Sequence, residues 1–301
     1  MFEYIKLDEF LSGDSRYIIR RDTLLSGYCT FKIGGAADYV IYPDSCESLI
    51  ELIAVLRDHE IKHIVCGNAS NILFPDDGYR GAVVFTRRLN KISADENTMS
   101  VHCGALLGAA AMSACRSGLK GLEFAFGIPG SCGGAVYMNA GAYGGQMSDI
   151  VLSSSYYDPS QDKICQTDCT GHRFGYRSSI FSGSEIIILS SVFRLESDCR
   201  EMIRERMDMN TKHRSDHQPL LYPSAGSVFK RYPGYYTSKL IEEAGLKGRQ
   251  CGRAQISMKH AGFIINLGGA TASDVLNLID IVKETVYSKY GIEIECEIRI
   301  I

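Results

Sequence analysis

The chain has 301 residues, of which 45% are hydrophobic and 22% charged, and its formal net charge is −3. This composition is ordinary for a globular protein, and the length suffices for roughly two or three domains with their own cores. No basic block is longer than Arg87-Arg88, which argues against nucleic acid as the main partner. No run approaches the roughly 20 apolar residues that cross a bilayer, and the start lacks a secretory signal, so we expect a cytoplasmic protein without membrane insertion.

The 11 cysteines are irregularly spaced and include no CxxC pair. Cysteines at apolar positions, such as Cys66, Cys103 and Cys115, indicate small core residues in a reducing compartment rather than disulfide partners. Because paired thiolate spacing is missing, we predict no metal site.

In chain order, the first 197 residues predict many short strands and a few helices. Residues 1–26 have no clear pattern. Strands are predicted over 28–40, 61–66, 81–86, 99–103, 150–157, 163–167 and 185–195, and helices over 44–59 and 105–117.

The composition shifts near residue 197. Helices are predicted over 199–214 and 237–245, and a capping box at Thr271–Asp274 opens a further helix that Gly291 ends. Residues 292–301 alternate between apolar and charged residues, which predicts a strand with Ile292, Ile294, Cys296, Ile298 and Ile300 on one face. The predicted fold class is α+β.

The most informative stretch is Gly127–Gly145, GIPGSCGGAVYMNAGAYGG. Glycine at this density lets backbone amides turn toward a ligand and lets the ligand come close, and a phosphate or pyrophosphate suits such amides. A tight buried connection is the alternative interpretation. Gly67–Asn71, which follows a predicted strand, is a second candidate, although alone it is better interpreted as an ordinary turn.

Several motifs agree in order and spacing with one family. The chain resembles the UDP-N-acetylenolpyruvoylglucosamine reductases, in their shorter subtype. The matching segments span residues 28–301 and are Thr30–Gly35, Gly67–Asn71, Gly127–Gly145, Phe174–Arg177, Tyr222–Lys230, Lys259–Phe263 and Glu297–Arg299.

The resemblance implies an FAD-binding domain of the vanillyl-alcohol-oxidase type over residues 1–197, with two subdomains split near 66–80. A smaller α+β substrate-binding domain over 198–301 should follow, its last strand returning Glu297 to the active site. No GxGxxG follows a strand, so a Rossmann site has no support. Non-covalent FAD is expected at Gly67, Asn68, Ala69, Ser70, Asn71, Gly127, Ile128, Pro129, Gly130, Gly133, Gly134, Asn139, Gly141 and Ala142.

The implied reaction reduces UDP-N-acetylglucosamine enolpyruvate to UDP-N-acetylmuramate for peptidoglycan synthesis, in a monomer. NADPH reduces the flavin, flavin N5 delivers a hydride to the vinyl carbon, and Ser227 protonates the resulting carbanion. Arg177 should pair with the substrate carboxylate and stabilise its growing charge. Glu297 should carry a proton and donate a hydrogen bond, which requires a raised pKa.

Tyr176, Arg214, Lys230 and His260 are expected to contact the substrate, the last three at its diphosphate or uridine. The chain departs from the family pattern at His217, where relatives often have lysine, and at Ser178, where they often have aspartate. These departures concern the nucleotide contacts and leave the three catalytic residues in place.

Three alternatives compete with this interpretation. Another FAD-dependent oxidoreductase of the same fold would bind flavin but ignore a UDP-sugar. A serine hydrolase using Ser227 lacks a GxSxG elbow and an evident Ser–His–acid set. A catalytically silent nucleotide-binding protein would not need Arg177, Ser227 and Glu297 together.

Overall fold

The computed structural model describes residues 2–301 and confirms the α+β class. The helices are α1 Phe2–Leu11, α2 Cys46–Asp58, α3 Leu107–Arg116, α4 Cys132–Tyr137, α5 Arg200–His217, α6 Thr237–Glu243 and α7 Ala272–Tyr290. The strands are β1 Tyr17–Leu24, β2 Ala36–Pro43, β3 His63–Cys66, β4 Ile72–Leu73, β5 Tyr79–Phe85, β6 Ile92–Asp95, β7 Thr98–His102, β8 Leu119–Lys120, β9 Gly141–Ala142, β10 Gly145–Gln146, β11 Val151–Asp158, β12 Lys163–Asp168, β13 Ile187–Arg194, β14 Glu196–Ser197, β15 Gln250–Cys251, β16 Ala254–Ile256, β17 Ile264–Asn266 and β18 Arg299–Ile300.

The predicted helices form, with ends set by local chemistry. The Ser45 hydroxyl caps α2 by accepting a hydrogen bond from the Ser48 amide, and Thr271 caps α7 in the same way with Asp274 completing the capping box. Gly291 ends α7 with φ 66°, a left-handed conformation that costs glycine little. Sequence therefore located both termini of α7.

The strand predicted over 28–40 is wrong in its first half, because β2 begins only at Ala36. Gly34 takes φ 137°, and a Cβ there would lie 2.7 Å from the Phe74 Cβ. A Cβ on Gly35 would lie 2.2 Å from the Asp76 carbonyl oxygen. The glycine pair thus serves close packing of an irregular segment. Residues 2–24, which gave no pattern, contain both α1 and β1.

The strand predicted over 292–301 is also corrected. Only Arg299–Ile300 pairs as a strand, parallel to β4, while Cys296 makes an isolated bridge with Phe229. The predicted burial holds at Ile292, Ile294 and Ile298, but Ile300 is 44% exposed. The alternation of apolar and charged residues predicted which side of the segment is buried. It did not predict whether a partner strand lies beside the segment.

Two larger sheets and several short pairings organise the strands. One sheet has the order β1-β2-β5-β3, with β3 and β5 parallel, and the other has the antiparallel order β12-β11-β13-β7-β6. A small antiparallel sheet, β15-β16-β17, lies in the C-terminal part of the chain. Pairings also join β10 with β9, β14 with β8 and β18 with β4.

The chain divides into two compact units. The first unit contains the residues up to Arg21 together with Asp38–Asn68 and Arg80–Lys212; the second contains Asp22–Ala37, Ala69–Tyr79 and His213–Ile301. These two units are defined only by how the chain packs. The predicted division between an FAD-binding domain and a substrate-binding domain at residues 197/198 stays a prediction.

Each unit has its own apolar packing. In the first, one cluster combines the buried faces of α2, α3 and the five-stranded sheet, and it includes the predicted core cysteines Cys103 and Cys115. In the second, α7 contacts β15 and β16 through an apolar face formed by Val275, Leu278, Ile279, Val282 and Val286. Burying one such side chain contributes about 1.5–3 kcal/mol. Within residues 2–301, no helix is both long and apolar enough to cross a membrane.

Candidate active site

The glycine-rich stretch is an ordered loop around the short helix α4. The Ser131 hydroxyl caps α4 by accepting a hydrogen bond from the Gly134 amide at 3.2 Å. A Cβ on Gly133 would lie 2.7 Å from the Cys103 Cβ, so glycine is needed for close approach to the end of β7. The same burial raises the pKa of the Cys103 thiol to about 12, which makes it an inert packing group.

The second predicted loop lies directly against the first. A Cβ on Gly67 would lie 1.8 Å from the Ser131 Oγ, and the Asn68 side-chain amide donates to the Pro129 carbonyl oxygen at 2.6 Å. Within residues 2–301, the amides of Asn68, Gly130 and Ser131 donate no hydrogen bond. Unused amides on two abutting loops suit the oxygens of a pyrophosphate, so these residues fit the FAD that the sequence predicts.

The rest of the second loop belongs to the other unit. Ala69 takes φ 46°, and its carbonyl oxygen accepts a hydrogen bond from the Thr30 amide. The Asn71 side-chain amide donates to the Glu297 carbonyl oxygen at 3.0 Å, while the Asn71 carbonyl accepts from the Arg299 amide at 2.9 Å. Asn71 therefore fixes the backbone of the segment that carries Glu297.

Asn139 links the glycine-rich stretch to the motif that carries Arg177. It is 3% exposed with φ 44°. Its amide nitrogen donates to the Gly175 carbonyl at 3.0 Å, and its oxygen accepts from the Ser148 amide at 2.9 Å. Because these bonds use the side chain, Asn139 acts here as a structural link, while its predicted contact with FAD stays a prediction.

Arg177 lies at the tip of a tight hairpin. Its φ of 54° is uncommon outside glycine, and such strain costs on the order of 1–3 kcal/mol. The guanidinium lies 5.2 Å from the centre of the Tyr176 ring and donates to the Gly141 carbonyl oxygen at 3.1 Å. Tyr176 is 49% exposed. The two predicted substrate residues thus stack on each other beside the glycine-rich stretch.

Val228, next to Ser227 in sequence, contacts the segment that carries Glu297 through its backbone. We define the serine loop as residues 226–230. The Val228 amide donates to the Gly262 carbonyl at 2.8 Å, and its carbonyl accepts from the Glu297 amide at 2.7 Å. Ser227 itself forms a bridge with Phe263. The serine loop therefore lies between the Lys259–Phe263 motif and the C-terminal segment.

The basic residues predicted to contact the nucleotide lie in the same unit as Ser227. Lys230 pairs with Glu295 at 2.9 Å, and this bond lowers the pKa of the exposed Glu295 carboxyl. Burial lowers the pKa of His260, whose Nδ1 accepts from the Gly262 amide at 3.2 Å. Arg214 is half-buried near the end of α5.

Two groups that sequence analysis missed organise these segments. Asp76 caps α7 by accepting from the amides of Ala272 at 2.6 Å and Ser273 at 3.0 Å. His172 is completely buried under the Arg177 hairpin. A buried histidine in a loop gives no periodic signal, so only its place inside the Phe174–Arg177 neighbourhood could have drawn attention to it. Among the described residues, no cluster of His, Cys, Asp or Glu could hold a metal ion.

Comparisons with known proteins bear on both ends of the chain. Residues 37–165 match an FAD binding domain, and residues 218–301 match the C-terminal domain of UDP-N-acetylenolpyruvoylglucosamine reductase. The first match identifies FAD as the cofactor and agrees with the glycine loops described above.

Proteins similar over nearly the whole chain carry the same name. A UDP-N-acetylenolpyruvoylglucosamine reductase of Caldicellulosiruptor bescii is 47% identical over 93% of this chain and 90% of its own length. One from Clostridium novyi is 42% identical over 98% and 95%. The crystal structure of the reductase from Thermus caldophilus superposes with a TM-score of 0.80 at 32% identity, covering 94% of this chain and 99% of that chain. The chain belongs to the UDP-N-acetylenolpyruvoylglucosamine reductase family, a family of FAD-dependent oxidoreductases.

Proposed function

We propose that this chain reduces UDP-N-acetylglucosamine enolpyruvate to UDP-N-acetylmuramate with NADPH as the hydride donor. The observation that carries the proposal is the placement of the Glu297 backbone beside the serine loop, because the Glu297 amide donates a hydrogen bond to the Val228 carbonyl of that loop. FAD, which the loops at Gly67–Asn68 and Gly130–Ser131 would hold, would supply the hydride-transfer chemistry between NADPH and the vinyl carbon of the enolpyruvyl group.

Ser227 supplies the proton that completes the reduction. Addition of a hydride to the terminal vinyl carbon leaves negative charge on the neighbouring carbon, which bears the carboxylate. A serine hydroxyl is a weak acid, but this carbanion is a strong base, so the proton moves from Oγ to carbon. The left-handed Gly226, with φ 79°, and the Ser227–Phe263 bridge support a fixed position for this hydroxyl.

Arg177 stabilises the charge that develops on the substrate carboxylate. A guanidinium is a rigid fork of donors that matches a carboxylate, and it stays charged at all relevant pH values. Its anchorage to Gly141 and its stacking on Tyr176 support preorganisation, since a positioned cation loses little by reorganising during the reaction.

Glu297 donates a hydrogen bond to the same developing charge while it holds its proton. An ionised carboxylate would repel an enolate, so the proton is necessary. A ¹³C NMR titration of labelled Glu297 in the FAD-loaded protein tests this role. A carboxyl that ionises near the ordinary value of about 4.3 would remove Glu297 from it.

The proposed reaction separates into two observable halves. The protein reconstituted with FAD is mixed anaerobically with NADPH and then with the enolpyruvyl sugar, while flavin absorbance is followed. We expect bleaching with NADPH and recovery only with the sugar. Bleaching without recovery would mean that the chain catalyses another flavin-dependent oxidoreduction. Bleaching with NADH but not with NADPH would mean that NADH is the hydride donor.

The nucleotide contacts are proposed separately. Arg214, Lys230 and His260 would bind the diphosphate or uridine of the substrate. Their presence in one unit with Ser227 supports this assignment. Titration of UDP into the FAD-loaded protein, compared with Lys230→Ala, measures it; equal affinities would remove Lys230 from the substrate contacts. The chain is also proposed to act in the cytoplasm as a monomer. Sedimentation of the FAD-loaded protein tests its oligomeric state.

A further inference from the structure

Residues 172–180 form a closed turn, which we name the arginine hairpin. The Ile180 amide donates to the His172 carbonyl at 2.9 Å and closes its base. The Gly175 amide donates to the Ser178 carbonyl at 3.0 Å and tightens its tip. The left-handed Arg177 lies inside this tip, so its strained backbone persists only while the hairpin is held.

The base of the hairpin is held by the His172 ring. The ring is completely buried; its Nδ1 lies 2.5 Å from the Asp168 carbonyl oxygen and its Nε2 lies 2.8 Å from the Ser154 Oγ. A carbonyl oxygen only accepts, so Nδ1 carries the hydrogen. In the neutral ring, Nε2 then accepts from the Ser154 hydroxyl. Both ring nitrogens are satisfied by one tautomer.

The hydrogen-bond chain continues into the five-stranded sheet. The Ser154 and Ser191 hydroxyls, on neighbouring strands β11 and β13, lie 2.7 Å apart. On the other side, the imidazole stacks on Phe174 at 4.8 Å with an interplanar angle of 10°. His172 therefore joins the arginine hairpin to the middle of a sheet.

The hydrogen bonds of the His172 ring fix more than is needed merely to fill space in the core. An aliphatic side chain would occupy the same space without fixing the orientation of the loop, whereas a buried and fully satisfied polar network favours one geometry. The opposite side of the hairpin is fastened independently, because the Ser179 hydroxyl donates to the Tyr137 carbonyl at 2.6 Å. The hairpin is thus clamped between α4 and the sheet.

We propose that neutral His172 is a positioning residue for Arg177, holding the arginine hairpin so that the guanidinium is presented to the substrate carboxylate. This inference rests on the proposed role of Arg177. His172 touches neither substrate nor flavin in this role; it acts through the backbone of residues 172–180.

The test measures the protection of backbone amides from hydrogen exchange and the rates of the two half-reactions in the same variants. His172→Leu keeps the apolar volume and removes both hydrogen bonds, and Leu52→Ala, in the core of the same unit on α2, controls for loss of stability alone. We expect His172→Leu to speed hydrogen exchange selectively in residues 172–183. Reoxidation by the enolpyruvyl sugar should slow roughly 10- to 100-fold, as for displaced catalytic groups, while reduction by NADPH stays close to wild type.

A milder pair keeps the test decisive if His172→Leu does not fold. His172→Gln can still accept from Ser154 and should restore much of the sugar-dependent rate, whereas Ser154→Ala should show a smaller loss of the same kind. Equal exchange in the hairpin for wild type, His172→Leu and Ser154→Ala would overturn the proposal, as would an equal slowing of both half-reactions.

The two proposals fail separately. If the wild-type protein does not consume the enolpyruvyl sugar, the proposed function fails, while exchange in residues 172–183 still decides whether His172 holds the hairpin. If the wild type turns over and His172→Leu behaves like Leu52→Ala, the function stands and the positioning role fails.

Discussion

The arginine hairpin and the serine loop each present one proposed catalytic side chain, but different groups hold them in place. In the hairpin, side chains make the decisive contacts: His172 bonds to Ser154, Asn139 bonds to Gly175, and Ser179 bonds to Tyr137. In the serine loop, backbone amides and carbonyls make them, on one side with Gly262 and on the other with Glu297.

This difference decides how each region should respond to substitution. A backbone ladder survives a change of side chain, so a variant in the serine loop should lose chemistry without losing structure. A side-chain clamp does not survive such a change, so variants around the hairpin should lose order and chemistry together. The following predictions, in order of decreasing effect, test this distinction.

The largest effect is expected from Ser227→Ala. Loss of the proton donor should slow the sugar-dependent half-reaction by about 10²–10⁴-fold, the range for a positioned acid, while the melting temperature and reduction by NADPH stay unchanged. Stopped-flow absorbance measures both halves. Ser224→Ala, in the same segment, is the matched control and should behave as wild type. Retention of the full rate in Ser227→Ala would assign the proton to another group.

Arg177→Lys should have the next largest effect. Lysine keeps the positive charge but loses the planar fork and the stacking on Tyr176, and we expect a loss of roughly 10- to 100-fold in the sugar-dependent rate. Arg173→Lys, an exposed arginine in the same hairpin with a similar left-handed φ of 46°, is the matched control. Equal losses in both variants would mean that any arginine-to-lysine change in the hairpin slows the reaction, and would remove the special role of Arg177.

Gly67→Ala should weaken FAD binding. The added Cβ would meet the Ser131 Oγ at 1.8 Å, and overpacking of this kind costs about 1–3 kcal/mol, which corresponds to about a 5- to 150-fold rise in the FAD dissociation constant. Gly108→Ala is the control, because a Cβ there meets nothing within 4 Å and favours helix α3. Fluorescence titration with FAD measures both. Unchanged affinity in Gly67→Ala would show that the two loops can separate without loss of the cofactor.

Sequence predicted the parts of this site whose chemistry is local. Glycine density marked the stretch Gly127–Gly145, whereas Gly67–Asn71 alone is better interpreted as an ordinary turn, and its packing on Ser131, which is distant in sequence, is not visible in the pattern. The helix α7 was predicted to its ends because Thr271 and Gly291 act on their own turns. These features depend on neighbours in sequence, which a pattern can report.

The features that sequence missed depend on distant partners. His172 is separated from Ser154 by 18 residues and from its sheet by pairings that no period reveals. The segment 292–301 alternates as a strand does, but its pairing depends on whether Phe229 and Ile72 lie alongside. Glu297 was found only through family resemblance, since an alternating carboxylate row is ordinarily solvent-facing.

The smallest expected effect is the pH dependence that His172 adds to stability. Burial lowers the pKa of His172, and the Asp168 carbonyl and the Asp168 carboxylate oppose this only in part. The folded protein therefore binds this proton less readily than the unfolded chain, whose histidine has a pKa near 6.5. Its contribution to stability is complete above about pH 6.5 and is lost as the pH falls through the lowered folded value.

Melting temperatures measured from pH 7.5 down to pH 5 separate this contribution from others. His102 and His260 are half-buried, and partial burial lowers the pKa of each, so they change stability in the same direction and the wild-type slope alone does not identify His172. His172→Gln cannot titrate, and its melting temperature should fall less steeply with acidification than that of the wild type. Parallel slopes would mean that His172 binds its proton as readily in the folded protein as in the unfolded chain, which would contradict the lowered pKa of the buried ring and leave the clamp on the arginine hairpin without a contribution to pH dependence.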